Sequence, residues 1–562
     1  MIMIKKLVLK FFIILFSIFF NSCEFRQMNN LKLYYNGKIY SYNPNDNSYK
    51  FFNSMVVNGN KIEYLGDLND VKKIYKLFCE EIDLKNRLVL PGFIDSHTHM
   101  FWGGMSLIRL NLCDCKSKEE FIEKIKVYAQ ENKDIKWILG GNWDHEDFEK
   151  PELPRKEWID SVINDRPVFL TRLDLHMGVA NSKALELAKI NKNTPNPKGG
   201  EIQKDENGEL TGILKDKAID LINEAIPSPD DKEYEEILSK TIKYANQQGI
   251  TAVFDVTQEE EIKTIRNFDR ERKLTLRFFS RLPIEKYYYK KISDVKKLYD
   301  GERFKVLALK AFADGSLGSS TAYFFESYED KKNYYGLPME ILKNGKLLEM
   351  TKAGMFNGWK ISIHAIGDKA NHEVLNIFQI LSREESYKTK RHLIEHCQHL
   401  IEKDIKRFAE LNIIASVQPY HLYDDGAWAE KKIGKKRARY SYAFKSLINA
   451  KACVAAGSDW PVVDINPLLG IYAAVTRRTA SSEKSWTPEE IVSVEDAVKM
   501  YTYWAAYAIE MENYIGVLAP GMLADFIVVS QNIFTCLPEE IKNTKILLTV
   551  LDGDVIFRDE NF

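Results

Sequence analysis

Between residues 88 and 460 the chain alternates short, nearly continuous apolar runs with longer segments whose apolar positions recur at helical spacing. Short apolar runs bounded by turn residues mark strands buried on both faces. They predict strands at 88–95 and near Gly249–Val256, Leu276–Leu282, Phe304–Ala311, Lys360–Ala365, His392–His396, Ile413–Val417 and Ala452–Gly457. Amphipathic helical stretches such as Asp231–Gln248, Lys369–Ser382 and Val494–Met511 fall between or after them. Eight strands with helical crossovers predict an α/β fold, a (β/α)8 TIM barrel over 88–510. An open doubly wound sheet is the competing architecture. The stretch from about 101 to 235 is too long for a barrel loop and predicts an inserted lid or subdomain after strand one.

The flanks carry a different pattern. Residues 31–87 contain β-forming runs around Asn36-Gly37 and Asn58-Gly59, and each Asn-Gly pair reads as a hairpin turn. Residues 515–562 hold Pro520-Gly521 and Asp525, then a run turning at Asp552-Gly553. Neither end has enough strands for a stable sheet alone, so the two predict one small β-sandwich built from both chain ends.

Composition changes this picture little. The 562 residues are 45% hydrophobic and 28% charged, with 79 basic against 80 acidic residues and a formal net charge of −1. That is a globular balance with no basic stripe for a nucleic acid. Seven cysteines without a Cys-x-x-Cys pair make neither a disulfide framework nor a cysteine metal site. The first 23 residues do add something. Lys5, Lys6 and Lys10 precede an apolar run, Phe11 to Phe20, and then Asn21-Ser22-Cys23. This is an export signal in outline, and Cys23 at its end is similar to the lipidated cysteine of a bacterial lipoprotein. The expectation is a protein exported to the bacterial cell envelope and tied to the membrane only through its N-terminus. A plain signal peptide or an uncleaved anchor is the alternative.

The candidate chemistry lies at the strand ends. Strand one closes on His97-Thr98-His99, and alternation puts both imidazoles on one side, where they can hold a single metal ion together. Lys310 ends strand four, His364 strand five, His396 strand six and Asp459 strand eight. A barrel gathers these ends into a ring, whereas an open sheet spreads them apart. A buried lysine is costly unless paired or modified. Lys310 is therefore either carboxylated, giving a carbamate able to bridge two cations, or paired with Asp314 or Glu395. Asp459 can touch a metal and take a proton from its water. His399, one turn past His396, is the rival ligand if the register is shifted. No Gly-x-Ser-x-Gly elbow is present, which argues against a serine hydrolase.

Gly-Phe-Ile-Asp-Ser-His-Thr-His at 92–99, Asp-Gly-Ser-Leu-Gly-Ser at 314–319, His-Ala-Ile-Gly-Asp at 364–368 and Gly-Ser-Asp-Trp-Pro at 457–461 together resemble the amidohydrolase superfamily. The likeness is to the branch with a long insertion after strand one, which includes N-substituted formamide deformylases, and it runs from about 31 to 560. It implies that His97, His99, His364, His396 and Asp459 hold one or two divalent metals, zinc foremost, with Lys310 as the N6-carboxylated bridge. It implies C–N bond hydrolysis of a small N-acyl or N-formyl amine or a cyclic amide by metal-activated hydroxide, with Asp459 as the proton carrier. Heterocycle deamination, or a tethered binding protein without catalysis, are the alternatives. Asp314, His421, Trp460, Arg172 and His176 are expected to face substrate. Asn142 to His145 could line the pocket, His372 belongs on a helix surface, and His392 lies at the wrong end of its strand.

Overall fold

The computed structural model describes residues 31–74, 80–145, 148–172, 177–197 and 200–562. Met1 to Cys23, and with it the expected lipidation site, lie outside these residues. Eight parallel strands form a nearly closed barrel. They are β1 (Phe93–Thr98), β2 (Ile250–Val256), β3 (Arg277–Pro283), β4 (Phe304–Phe312), β5 (Lys360–Ala365), β6 (Leu393–His396), β7 (Ile414–Val417) and β8 (Val454–Ala456). All seven residues of β2 and all four of β6 and β7 are buried. That two-sided burial is why these strands read as unbroken apolar runs rather than as alternation. Ile94, Phe254, Phe279, Leu307, Leu393 and Ile414 share one core cluster. Each such side chain contributes roughly 1.5–3 kcal/mol on burial. The barrel closes at its C-terminal end, where the Asp459 N–H donates to the His97 carbonyl (2.7 Å) and the His99 N–H to the Trp460 carbonyl (3.0 Å).

The run expected as one strand at 88–95 is two. Leu88–Pro91 lies antiparallel to Phe526–Val529 in a different sheet, and only Phe93 onward enters the barrel. Gly92 makes the crossing possible, because a Cβ there would stand 2.3 Å from the Thr251 hydroxyl. Both halves are fully buried. The apolar pattern therefore carries no mark of the change of sheet.

The other sheet has eight strands and draws on both chain ends. Its order is Asp554–Arg558, Ile546–Leu551, Phe526–Val529, Leu88–Pro91, Leu31–Asn43, Ser48–Asn58 and Lys61–Gly66, with Glu80–Asp83 also paired to Leu31–Asn43. Tyr34, Met55 and Val89 from one end share a core with Phe526, Val528 and Leu548 from the other, so neither end buries its apolar face alone. Gly59-Asn60 and Asp552-Gly553 do form tight turns, and Asp552 and Gly553 have φ of +53° and +78°, as a type I′ hairpin needs. Asn36-Gly37 does not. The strand runs on through it with a register shift between Tyr35 and Ile39, and there it changes parallel neighbours from Glu80–Asp83 to Leu88-Val89. Asp525 accepts from Arg277 at the start of β3 (2.8 and 3.1 Å), which ties this sheet to the barrel.

Residues 101–241 form a compact unit of their own. It carries a six-stranded sheet, and its core includes Phe121, Ile138, Trp143, Trp158 and Leu170. The helical stretch expected over Val494–Met511 is broken into Val494–Met500 and Tyr503–Ala508. Thr502 sits at the break, its hydroxyl donating to the Val498 carbonyl at 2.7 Å. Among the described residues no helix is long and apolar enough to cross a membrane.

Candidate metal centre at the C-terminal ends of the barrel strands

His97, on the last turn of pleat in β1, is fully buried, and His99 just beyond it is partly open. Their Nε2 atoms lie 3.3 and 3.2 Å from Asp459 Oδ1. The second face of His97 is fixed from below: Nδ1 is 2.7 Å from Glu395 Oε2. A carboxylate only accepts, so Nδ1 carries the proton and Nε2 turns a lone pair toward Asp459. Glu395 is itself held by the Arg281 guanidinium at 3.0 Å and by the Ser362 hydroxyl. Burial pushes the Glu395 carboxyl up, but Arg281, His97 and Lys310 around it hold it well below the ordinary carboxylate range.

Asp459 owes its place to β1. The Asp95 carboxylate accepts from the Ser458 N–H (3.1 Å), the Ser458 hydroxyl (2.5 Å) and the His97 N–H (3.0 Å), so strands one and eight share one anchor. Asp459 then takes φ of +61° and His396 φ of +74°, left-handed values that non-glycine residues seldom adopt. Such conformations persist where surrounding contacts over-determine them. Gly457 leaves no space to relax, because a Cβ there would stand 2.3 Å from the His97 nitrogen. Gly457→Ala is expected to cost about 1–3 kcal/mol of stability by displacing the His97 strand. A lowered melting temperature with reduced metal content checks it, and an unchanged melt would contradict this packing.

A second group meets the other side of Asp459. His396 Nδ1 is 2.7 Å from Gln418 Oε1, and the Gln418 amide nitrogen points to the Ser416 carbonyl at 3.5 Å. His396 Nε2 is thereby left as the lone-pair nitrogen. The His421 ring lies parallel to that of His396, with centroids 6.4 Å apart and planes at 21°. Donor atoms of His97, His99 and Asp459 lie within 4.8 Å of one another, and so do those of His396, His421 and Asp459. Burial pushes the His97 and His396 imidazoles below their ordinary range, so they are neutral. Burial alone would raise Asp459, but the imidazoles facing it hold its carboxyl well below its usual value. Lone pairs of neutral imidazoles turned on one ionised carboxylate are mutually repulsive unless a cation lies among them. The donor set therefore fits a divalent metal.

The remaining expected residues have partners of their own. Lys310 is buried beneath it with its ammonium 4.9 Å from the centre of the Phe312 ring, and it makes no ion pair with Asp314 or Glu395. His364 stands beside His396, ring centroids 4.3 Å apart, but its Nε2 is directed to the Gly315 carbonyl at 3.2 Å. His364 thus stands outside both triples. Asp314, expected to face substrate, does not: it is fully buried and accepts from the N–H groups of Ile366, Gly367 and Tyr323. Three backbone donors converging on one carboxylate make it the pin of the loop after β4. Trp460 is buried against the Tyr244 ring (5.8 Å). Arg172, in the inserted unit, is engaged by Asp144, both oxygens at 2.7 Å. His176 lies outside the described residues.

His399 bonds Ser441 through Nδ1 (2.7 Å) and packs on Phe324, away from the triples. His372 lies partly exposed on its helix, where Asp404 takes its Nδ1 at 2.9 Å. His392 receives the Ile361 N–H, far below the centre. Sequence reasoning passed over Glu395, Arg281, Gln418 and Asp95 as site residues. A charged residue inside an apolar strand, as in Leu393-Ile394-Glu395 or Phe279-Ser280-Arg281, is the signal that marks Glu395, Arg281 and Asp95; Gln418, uncharged and just past its strand, carries none.

With this geometry in hand, the likeness to known proteins is specific. The model of the amidohydrolase family matches residues 80–557. Protein LONG AFTER FAR-RED 3 of Arabidopsis thaliana is 37% identical over 538 residues, covering 93% of this chain and 91% of its own. N-substituted formamide deformylase of Arthrobacter pascens is 25% identical over 524 residues, 89% of this chain and 94% of its own. An uncharacterized metal-dependent hydrolase from Pyrococcus horikoshii OT3 superposes with a TM-score of 0.76 at 28% identity, over 90% of this chain and 99% of that one. The chain therefore belongs to the amidohydrolase family, as a metal-dependent hydrolase on a (β/α)8 barrel.

Proposed function

We propose that this protein hydrolyses the C–N bond of a small N-acyl or N-formyl amine or of a cyclic amide, using one or two zinc ions. The observation that carries the reading is the pair of donor triples sharing Asp459. The formamide deformylase likeness points to the same bond type. His97, His99 and Asp459 would hold one metal, with His364, His396 and Lys310 completing a second site. When bound there, a divalent cation supplies Lewis acidity toward the scissile carbonyl and lowers the pKa of water from ~15.7 to about 7. The protein's own part is proton handling and orientation. Asp459, ionised at neutral pH, takes the proton of the attacking water on a carboxylate oxygen and returns it to the departing amine nitrogen. Glu395 and Gln418 fix the ring planes of His97 and His396, so the donors need not reorganise during the reaction.

We also propose that Lys310 is carboxylated. Burial brings its amine down to about 8, so a useful fraction is uncharged near neutral pH. That nitrogen can add to carbon dioxide, forming an N–C bond and releasing one proton to give the carbamate. Among the described residues no carboxylate forms an ion pair with Lys310, which supports the carbamate. Heterocycle deamination is the second reading. The position of His364 outside both triples favours it, because one cation would then suffice. By its sequence pattern the segment ending at Cys23 is proposed as a lipoprotein signal that anchors the protein in the cell envelope.

The test is a mass-shift screen of the zinc-loaded protein against N-formyl amines, N-acyl amines, cyclic amides and aminated heterocycles. Gain of one water, with release of the amine from open-chain substrates and loss of the signal in Asp459→Asn, is the expected result. Replacement of an amino group by oxygen would transfer the reading to deamination. Silence across the panel with metal bound would overturn hydrolysis of this class.

A further inference from the structure

We infer that His421, contributed by the segment after β7, is a metal ligand that holds a cation together with His396 and Asp459. This rests on the metal-dependent reading above and extends the donor set beyond the residues expected from sequence, which cast His421 as a substrate contact. Four observations carry it. His421 Nε2 is buried and has no hydrogen-bond partner among the described residues, a costly state for a polar atom. It is directed at the centre, 3.9 Å from Asp459 Oδ2. That distance is too long for a hydrogen bond. It suits two ligands of one ion, since donors at about 2.0–2.1 Å from zinc stand roughly 3–4 Å apart.

The third observation is that Asp459 divides its oxygens. Oδ1 meets His97 and His99 at 3.3 and 3.2 Å, and Oδ2 is the atom nearest His421. A carboxylate shared in this way can serve a different cation on each side. Fourth, the segment is built for this placement. Gln418 orients His396 through its Nδ1, and three residues later His421 opens the short helix His421–Asp425 with its ring parallel to His396. One tight Gln-Pro-Tyr-His segment thus sets two imidazoles beside the same carboxylate. A substrate-facing histidine would require neither the parallel rings nor the buried, unpaired nitrogen.

The test reads metal directly. The full-length protein is stripped with a chelator and titrated with Co2+, following the visible absorption and the metal bound per chain. His421→Gln and His421→Ala are compared with the wild type, and far-UV circular dichroism checks the fold. Loss of one equivalent, or at least tenfold weaker binding of one equivalent with a changed cobalt spectrum, is expected in both variants. Equal stoichiometry, affinity and spectrum would overturn the assignment. Zinc anomalous diffraction from wild-type crystals needs no variant. A peak within bonding distance of His421 Nε2 supports the inference, and a map in which every peak lies beyond hydrogen-bond reach of it refutes it. Neither readout depends on turnover. A protein that binds metal through His421 but hydrolyses no amide would sink the proposed reaction and leave this inference standing.

Discussion

Asp459→Asn should reduce kcat by roughly 10²–10⁴-fold, the range that a positioned proton carrier supplies. The reason is geometric. Both donor triples include this carboxylate, and it is the acidic member of each. Its left-handed backbone is braced by Asp95 through Ser458, so asparagine can occupy the same place without changing the loop. The substitution keeps one oxygen for a metal but removes the basic one. Turnover measured at matched metal content is the check. An unchanged kcat at equal loading would mean that another group moves the proton.

Arg281→Met should cost about 3–5 kcal/mol of stability, the usual penalty for stripping one partner from a buried pair. Arg281 is fully buried. Its two terminal nitrogens donate to the Phe254 and Ser96 carbonyls at 2.6 and 2.5 Å, and one of them also meets Glu395. Removing it leaves a buried, ionised Glu395 with only His97, the Ser362 hydroxyl and Lys310 to offset its charge. Glu395→Gln should be destabilising for the converse reason, and should also weaken metal binding by about 10–100-fold, because the partner that orients His97 is lost. The double variant should recover part of the combined penalty. Denaturant midpoints for the four proteins measure the coupling. Strict additivity, or single costs below about 1 kcal/mol, would show that the pair is not a unit.

Much of this was legible along the chain. A strand buried on both faces must be apolar throughout, so eight runs and their helical spacers declare a barrel. The spacing His97-Thr98-His99 fixes two imidazoles on one side of a strand by alternation alone. Asp552-Gly553 turns because both residues take positive φ, a conformation that few other residue pairs adopt. Asp459 and His396 at strand ends follow from barrel topology, which gathers such ends whatever the loops do.

Tertiary structure decided the rest, because the determining contacts join residues far apart in sequence. Leu88–Pro91 and Phe93-Ile94 read as one apolar run, and the close approach of Thr251 to Gly92 marks where it divides. Asn36-Gly37 has the composition of a hairpin turn, yet its strand continues, since separate partners await on either side of the kink. Asp314 reads as a loop acid at the mouth of the site. Three backbone N–H groups, two of them from the segment after β5, converge on it and make it structural. Glu395 and Arg281 are two charges within separate apolar strands, and only the closed barrel brings each to the other and both beneath His97. Local pattern thus determined which segments become strands and which ends carry ligands. Long-range packing determined which of those side chains face a metal, because a few ångströms of approach between distant strands separate a ligand from a brace.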